Sequence, residues 1–264
     1  MAEPALRSGV ERISAAFESR EGAAALMPYL MGGHPDLSQS LQVGEACVDA
    51  GADLLELGVP FSDPLADGPV IHAAATEALR AGATLVGVLD VCQRLSERVP
   101  VLLMVYANAI LARGVEGFAA LAARSGAAGL IVPDLPHDEA AAALAACDVE
   151  GLALVPLVAP STPPERLARI GADARGFVYT VSVAGTTGER EGLPPELEQT
   201  VARVRAATEL PVAVGFGISS GEQARRVAEL ADGVIVGSRV VRAAGEGGAA
   251  AVHEVVAELA AALR

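Results

Sequence analysis

Short, continuously apolar runs alternate with longer stretches whose apolar positions recur at helical spacing, from one end of the 264-residue chain to the other. Runs of the first kind are Leu26–Met31, Asp53–Gly58, Val101–Tyr106, Gly129–Val132, Leu152–Leu157, Gly176–Val181, Pro211–Gly215 and Gly233–Gly237. They are apolar at nearly every position rather than at every second one, the pattern of parallel strands covered on both faces. Between them the spacing predicts helices over Ser38–Ala50, Val70–Ala81, Val115–Ser125, Asp138–Cys147, Pro164–Ile170, Pro195–Thr208, Ser220–Leu230 and Gly248–Leu263. Several of these open with Ser, Asp or Pro, residues suited to an N-cap or a first helical turn.

Two further helices read from the same pattern, Val86–Arg98 after the second strand and Ala5–Ser19 ahead of the first, where it would cover the bottom of a barrel. Eight successive β-α units with no break in composition favour closure into a (β/α)8 TIM barrel over the rival arrangement, a doubly wound open sheet. No linker and no low-complexity segment interrupts the chain. The expected architecture is therefore one catalytic domain over residues 1–264, with an N-terminal capping helix and extra short helices.

Composition narrows the function classes. Hydrophobic residues make up 52% of the chain and charged residues 20%, ample material for a large core. The balance of 19 basic against 33 acidic residues, a net charge of −14, argues against coating nucleic acid or an anionic membrane, both of which need cationic surface. Three scattered cysteines, Cys47, Cys92 and Cys147, form no disulfide framework and no metal-ligand spacing. The first twenty residues carry Glu3, Arg7, Glu11, Arg12 and Glu18, so no secretory core is expected, and no apolar stretch reaches membrane-spanning length. The expectation is a cytoplasmic protein. Lysine is absent altogether, which excludes a Schiff-base mechanism. The four histidines, His34, His72, His137 and His253, share no ligand pattern, and there is no nucleophile elbow, Walker loop or dinucleotide fingerprint.

In a barrel of this kind the chemistry sits at the C-terminal ends of the strands. Three places there carry candidate residues. Within Leu54–Pro69, Glu56 lies inside an apolar strand, where desolvation favours the protonated form that a general acid needs. Asp63 follows in a loop stiffened by Pro60 and Pro64, where it is expected to be wetter and ionised. Two carboxyl groups in different environments form an acid/base arrangement. A hydrogen-bonded barrel glutamate and a helix-capping aspartate would give the same spacing. The second place pairs Gly215-Phe216-Gly217 with Gly237-Ser238, after strands seven and eight. Barrels often hold phosphate between these two loops at the start of a short helix, here Ser238–Ala243, although tight turns alone would also use glycine. The third is the Gly-rich stretch after strand six, from Tyr179 through Thr187 and Gly188 to Pro195, which reads as a lid. Tyr179, one of three tyrosines, would present its hydroxyl to the mouth or else simply fill the core.

The run Leu55–Gly58 through Phe61–Pro69 resembles the signature of the tryptophan synthase alpha subunit family. Pro28–Pro35, Val132–Pro136 and Gly215–Ser219 resemble further family segments in the expected order, so that the likeness covers essentially the whole chain. It implies a (β/α)8 barrel that cleaves indole-3-glycerol phosphate to indole and glyceraldehyde 3-phosphate. It also implies an α2β2 assembly with a beta subunit, whose pyridoxal phosphate (PLP) converts the indole to tryptophan, and no cofactor or metal in this chain. Carried over by position, Glu56 would protonate indole C3, Asp63 would bind the indole N–H, and Tyr179 would pack near the reacting centre. Thr187 would help position the catalytic aspartate; Gly188, Gly217, Gly237 and Ser238 would hold the phosphate; Leu26, Tyr106 and Ile131 would line the indole pocket. His34, where an acidic residue is common, and Val183, where some members have Arg, depart from the pattern at what read as surface or lid positions. A free-standing lyase, another phosphate-sugar barrel such as an isomerase, and a silent barrel that only activates a partner are the competing readings.

Overall fold

The structure is a computed structural model that describes residues 8–20, 22–181, 195–215 and 217–264. Its strands are β1 (Ala25–Met31), β2 (Leu55–Gly58), β3 (Val101–Met104), β4 (Gly129–Ile131), β5 (Ala153–Val155), β6 (Leu157–Val158), β7 (Val178–Val181), β8 (Val212–Gly215) and β9 (Gly233–Val236). All pairings are parallel, in the order β5-β4-β3-β2-β1-β9-β8-β7-β6. The two ends of that order, β5 and β6, are halves of one run interrupted at Pro156, which has no N–H to give to a ladder. On one side of the run the Ala153 N–H donates to the Ala128 carbonyl at 3.0 Å; on the other the Tyr179 N–H donates to the Pro156 carbonyl at 3.0 Å. The ring therefore closes through this run, and nine hydrogen-bonded strands occupy the eight strand positions that the apolar pattern predicts.

The helices fall between the strands as expected: α1 (Gly9–Glu18), α2 (Leu37–Asp49), α3 (Pro69–Arg80), α4 (Leu85–Ser96), α5 (Ala107–Leu111), α6 (Val115–Arg124), α7 (Ala141–Glu150), α8 (Pro164–Asp173), α9 (Leu197–Arg205), α10 (Gly221–Ala228) and α11 (Ser238–Ala262). Only α5, five residues after β3, has no counterpart in the sequence reading. The short helix expected over Ser238–Ala243 and the final one over Gly248–Leu263 are the two parts of α11, which meet at a kink at Gly248, whose φ of 60° and ψ of −150° no helix allows.

Helix α1 closes the bottom of the barrel. Ser8 and Glu11 cap it reciprocally, and the Gly9 N–H donates to the Gly151 carbonyl at 2.8 Å. A side chain at position 9 would meet the Ala128 carbonyl oxygen at 2.1 Å, so only glycine lets the helix sit this close. Arg12 donates to the carbonyls of Gly126 (2.9 Å) and Ser96 (2.7 Å), which precede β4 and β3, and Ile13 is fully buried. The opposite end of the barrel is left for chemistry.

Strand alternation sorts the core into two layers. Met27, Tyr29, Leu102, Met104, Ile131, Val155, Tyr179, Ala213 and Ile235 fill the barrel. Leu26, Leu30, Leu55, Leu57, Leu103, Leu130, Val178, Val212, Val214 and Val234 face outward against the helices. Leu26 belongs to the outer layer with α2 residues such as Val43 and Cys47, so it does not line an indole pocket. Tyr29, three residues on, faces the barrel interior. All three cysteines are buried and free.

Candidate active site

Glu56 lies at the centre of the barrel. Its β2 neighbours Leu55 and Leu57 point outward, so the period of two turns Glu56 inward, level with Tyr29 of β1 and Leu102 of β3. The residue is 1% exposed, and among the described residues neither carboxyl oxygen has a hydrogen-bond partner. Burial first, and the charge of Asp67 second, push its pKa up to about 8. At neutral pH it holds its proton, and both oxygens remain uncommitted. An inert structural glutamate would satisfy those oxygens within the fold.

Two tyrosines flank it from within the barrel. Burial raises the pKa of Tyr29 and Tyr179 well above the ordinary phenol value, with the charge of Glu56 adding to each, so both stay neutral donors. Glycines make room for their hydroxyl ends. A Cβ at Gly58 would stand 2.1 Å from the Tyr29 Oη, and one at Gly215 would stand 2.5 Å from the Tyr179 Oη. We expect Gly58→Ala to displace Tyr29 and to cost about 1–3 kcal/mol, the usual penalty of overpacking. Urea unfolding checks this, and an unchanged midpoint would contradict the packing described.

The carboxylate whose charge bears on Glu56 is not the one expected. Asp63 is exposed, and its Oδ2 accepts the Ser62 hydroxyl at 2.5 Å. Asp67, four residues on, is the carboxylate whose charge reaches Glu56 and Tyr29. Partial burial raises the Asp67 pKa, while a hydrogen bond from Tyr106 and the charge of His72 oppose the rise. Asp67 shares the Pro-flanked loop with Asp63, and spacing alone does not say which aspartate turns back over the barrel. Its signal was there: Asp67-Gly68-Pro69 leads straight into α3, with Pro69 in the first turn.

Of the other predicted residues, Tyr179 and Ile131 face the barrel interior. Met104, in register with Ile131, joins them on the same layer and was not anticipated. Tyr106 sits at the N-cap of α5, beyond the end of β3, with its ring stacked on Phe61 at 5.1 Å between centroids. Gly217 holds a φ of 85°, open to glycine and strained for other residues. Gly237 and Ser238 form the start of α11. That helix has no side-chain cap, whereas α10 is capped by the Ser220 hydroxyl. No side chain at its own N-cap therefore satisfies the first-turn N–H groups of α11. Gly237 also lies beside Tyr29, since a Cβ there would come within 3.6 Å of the Tyr29 Cβ. Thr187 and Gly188, like Val183, lie outside the described residues. His34 is not a surface residue as expected: it is 6% exposed, with Nδ1 3.4 Å from a Glu77 carboxylate oxygen.

A closed parallel barrel with a protonated, unpartnered carboxyl at its centre and a second carboxylate over the mouth defines a barrel enzyme of the acid–base class. Comparison with known proteins makes the class specific. The family model described as tryptophan synthase alpha chain matches residues 16–263. A tryptophan synthase alpha chain from Synechococcus sp. is 51% identical over 226 residues, covering 84% of each chain. Another, from Acidothermus cellulolyticus, is 46% identical over 248 residues, covering 92% of this chain and 93% of its own. Among solved structures, one of tryptophan synthase from Mycobacterium tuberculosis superposes with a TM-score of 0.91 at 41% identity, covering 98% of this chain and 99% of its own. The chain belongs to the tryptophan synthase alpha chain family, lyases of amino-acid biosynthesis that cleave indole-3-glycerol phosphate and work with a beta subunit.

Proposed function

We propose that this chain cleaves indole-3-glycerol phosphate with Glu56 as its acid and base and Asp67 as its fixed anion. The observation that carries the reading is Glu56 itself, buried, protonated and with both oxygens free inside the barrel. In the reaction the Glu56 carboxyl gives its proton to indole C3, and the positive charge that develops on the ring nitrogen is stabilised by the Asp67 carboxylate. The Glu56 carboxylate then takes the proton of the hydroxyl on the adjacent side-chain carbon. The O–H electrons form the aldehyde, the carbon–carbon bond breaks, and its electrons restore the aromatic indole. Glu56 ends protonated, as it began. The products are indole and glyceraldehyde 3-phosphate, with no net uptake of water, protons or electrons.

Tyr29, Met104, Ile131 and Tyr179 line the indole end. Gly217, Gly237 and Ser238 hold the phosphate through backbone N–H groups and the Ser238 hydroxyl, so that binding of the remote end orients the scissile bond. This chemistry uses the chain's own side chains throughout. PLP belongs to the beta subunit, which takes the indole onward to tryptophan in an α2β2 assembly. The whole chain serves as one catalytic domain. Among the described residues no helix is long and apolar enough to cross a membrane, which agrees with a cytoplasmic enzyme. The test is cleavage in heavy water: indole and the triose phosphate should form in equal amounts, and the indole should carry deuterium at C3. Equal products with only protium at C3 would overturn delivery of an exchangeable proton by Glu56.

A further inference from the structure

We propose that Tyr106 is a positioning residue for the reaction, holding Asp67 in place over the barrel, and that Asp134 fixes Tyr106 in turn; the proposal rests on the assignment of Asp67 above. The Tyr106 hydroxyl is used twice. It accepts the Ala66 N–H at 3.1 Å, and it stands beside the Asp67 carboxylate, whose charged form it favours, so one oxygen holds the backbone just before Asp67 and faces its side chain. The ring cannot swing away, because it is 4% exposed and stacked on Phe61, at the other end of the same loop, with 22° between the planes. Both the start and the end of the loop over residues 61–67 are thereby pinned to one side chain.

The segment that carries Tyr106 is anchored from the neighbouring strand. Asp134, just past β4, accepts the Ala107 N–H at 2.8 Å. Ala107 is the first residue of α5, whose N-cap is Tyr106 and which has no cap from its own side chain. Asp134 therefore supplies the missing cap from another loop and fixes the backbone next to Tyr106. The connection runs from Asp134 through the Ala107 amide and the Tyr106 hydroxyl to Asp67, whose charge bears on Glu56. Tyr106 thus supports a catalytic group instead of walling the indole pocket. Other charged or titratable groups bearing on Asp67 are Glu56 of β2, Tyr29 of β1 and His72 of α3.

The test is Tyr106→Phe in the full chain, assayed alone and with its beta subunit. This variant keeps the ring and its stacking on Phe61. The anchor on the Ala66 amide and the hydroxyl facing the Asp67 carboxylate are lost, so kcat should fall roughly tenfold or more, with KM changed less than about threefold. The Tyr106 hydroxyl favours the ionised form of Asp67, so its loss should move the acid limb of the kcat profile to higher pH. Asp134→Ala should give a smaller loss of kcat, and Asp134→Asn, whose side-chain oxygen still accepts, should restore it. A Tyr106→Phe chain that raises KM at unchanged kcat would overturn the proposal and return Tyr106 to the pocket wall. Equal losses in both Asp134 variants would remove Asp134 from the relay. Asp67→Asn separates the two levels: normal turnover there would topple the Asp67 assignment itself, whereas loss there beside an unaffected Tyr106→Phe would topple only the positioning role.

Discussion

Glu56→Gln is expected to lower indole formation by at least ~10²–10⁴-fold, the range lost when a general acid–base group is removed, while leaving the phosphate product bound as before. The substitution keeps shape and volume but has no proton to give to C3 and no carboxylate to take one back. A second effect runs the other way. The folded pKa of Glu56 is about 8, above the usual carboxyl value, so the folded protein binds this proton more tightly than the unfolded chain does. That contribution to stability is complete below the unfolded pKa and is lost as pH rises through about 8. A neutral amide removes the penalty, so the variant should gain on the wild type between pH 5 and pH 9 by an amount on the order of a few kcal/mol. Turnover of the wild type should fall over the same alkaline range as the acid loses its proton. Denaturant unfolding at the two pH values and a kcat/KM profile check both statements. Near-normal turnover in Glu56→Gln would remove Glu56 from its role.

The second large effect separates two aspartates four residues apart. Asp67→Asn should reduce turnover by ~10²-fold or more, because the anion facing the developing positive charge is gone. Asp63→Asn should stay within about threefold in the isolated chain, since an exposed carboxylate bonded to Ser62 has little to lose. The charge of Asp67 also helps to hold the Glu56 pKa up. Residual activity of Asp67→Asn should therefore lose its alkaline limb at a lower pH than the wild type. Steady-state rates of the two variants side by side decide the matter. A crippled Asp63→Asn beside a healthy Asp67→Asn would reverse the assignment.

Much of the barrel was legible because its signals are local. A parallel strand covered on both faces writes itself as an apolar run, and all eight runs recur as strands, with Leu152–Leu157 split at Pro156. Glu56 was legible for the same reason, as a carboxyl in a run that otherwise excludes charge. What escaped depends on facing and on contacts made at a distance. Leu26 and Tyr29 lie on one strand, and without register nothing distinguishes the residue that turns inward from the one that turns out. Asp63 and Asp67 share a loop whose path is set by Tyr106, 39 residues beyond the second of them, through the bond to the Ala66 amide. Helix α5 is too short to show a period, and its cap comes from Asp134 on the next β-α unit. His34 read as a surface departure from the family pattern, yet it is buried against Glu77 of α3.

The most direct test of the account is indole release from indole-3-glycerol phosphate by the purified chain, first alone and then with its PLP-dependent beta subunit. Slow release that rises sharply with the partner is the predicted result, as expected when the partner binds the competent state of the site more tightly. Fast release that ignores the partner would point to a free-standing lyase, and no indole under either condition would contradict the chemistry assigned to Glu56 and Asp67.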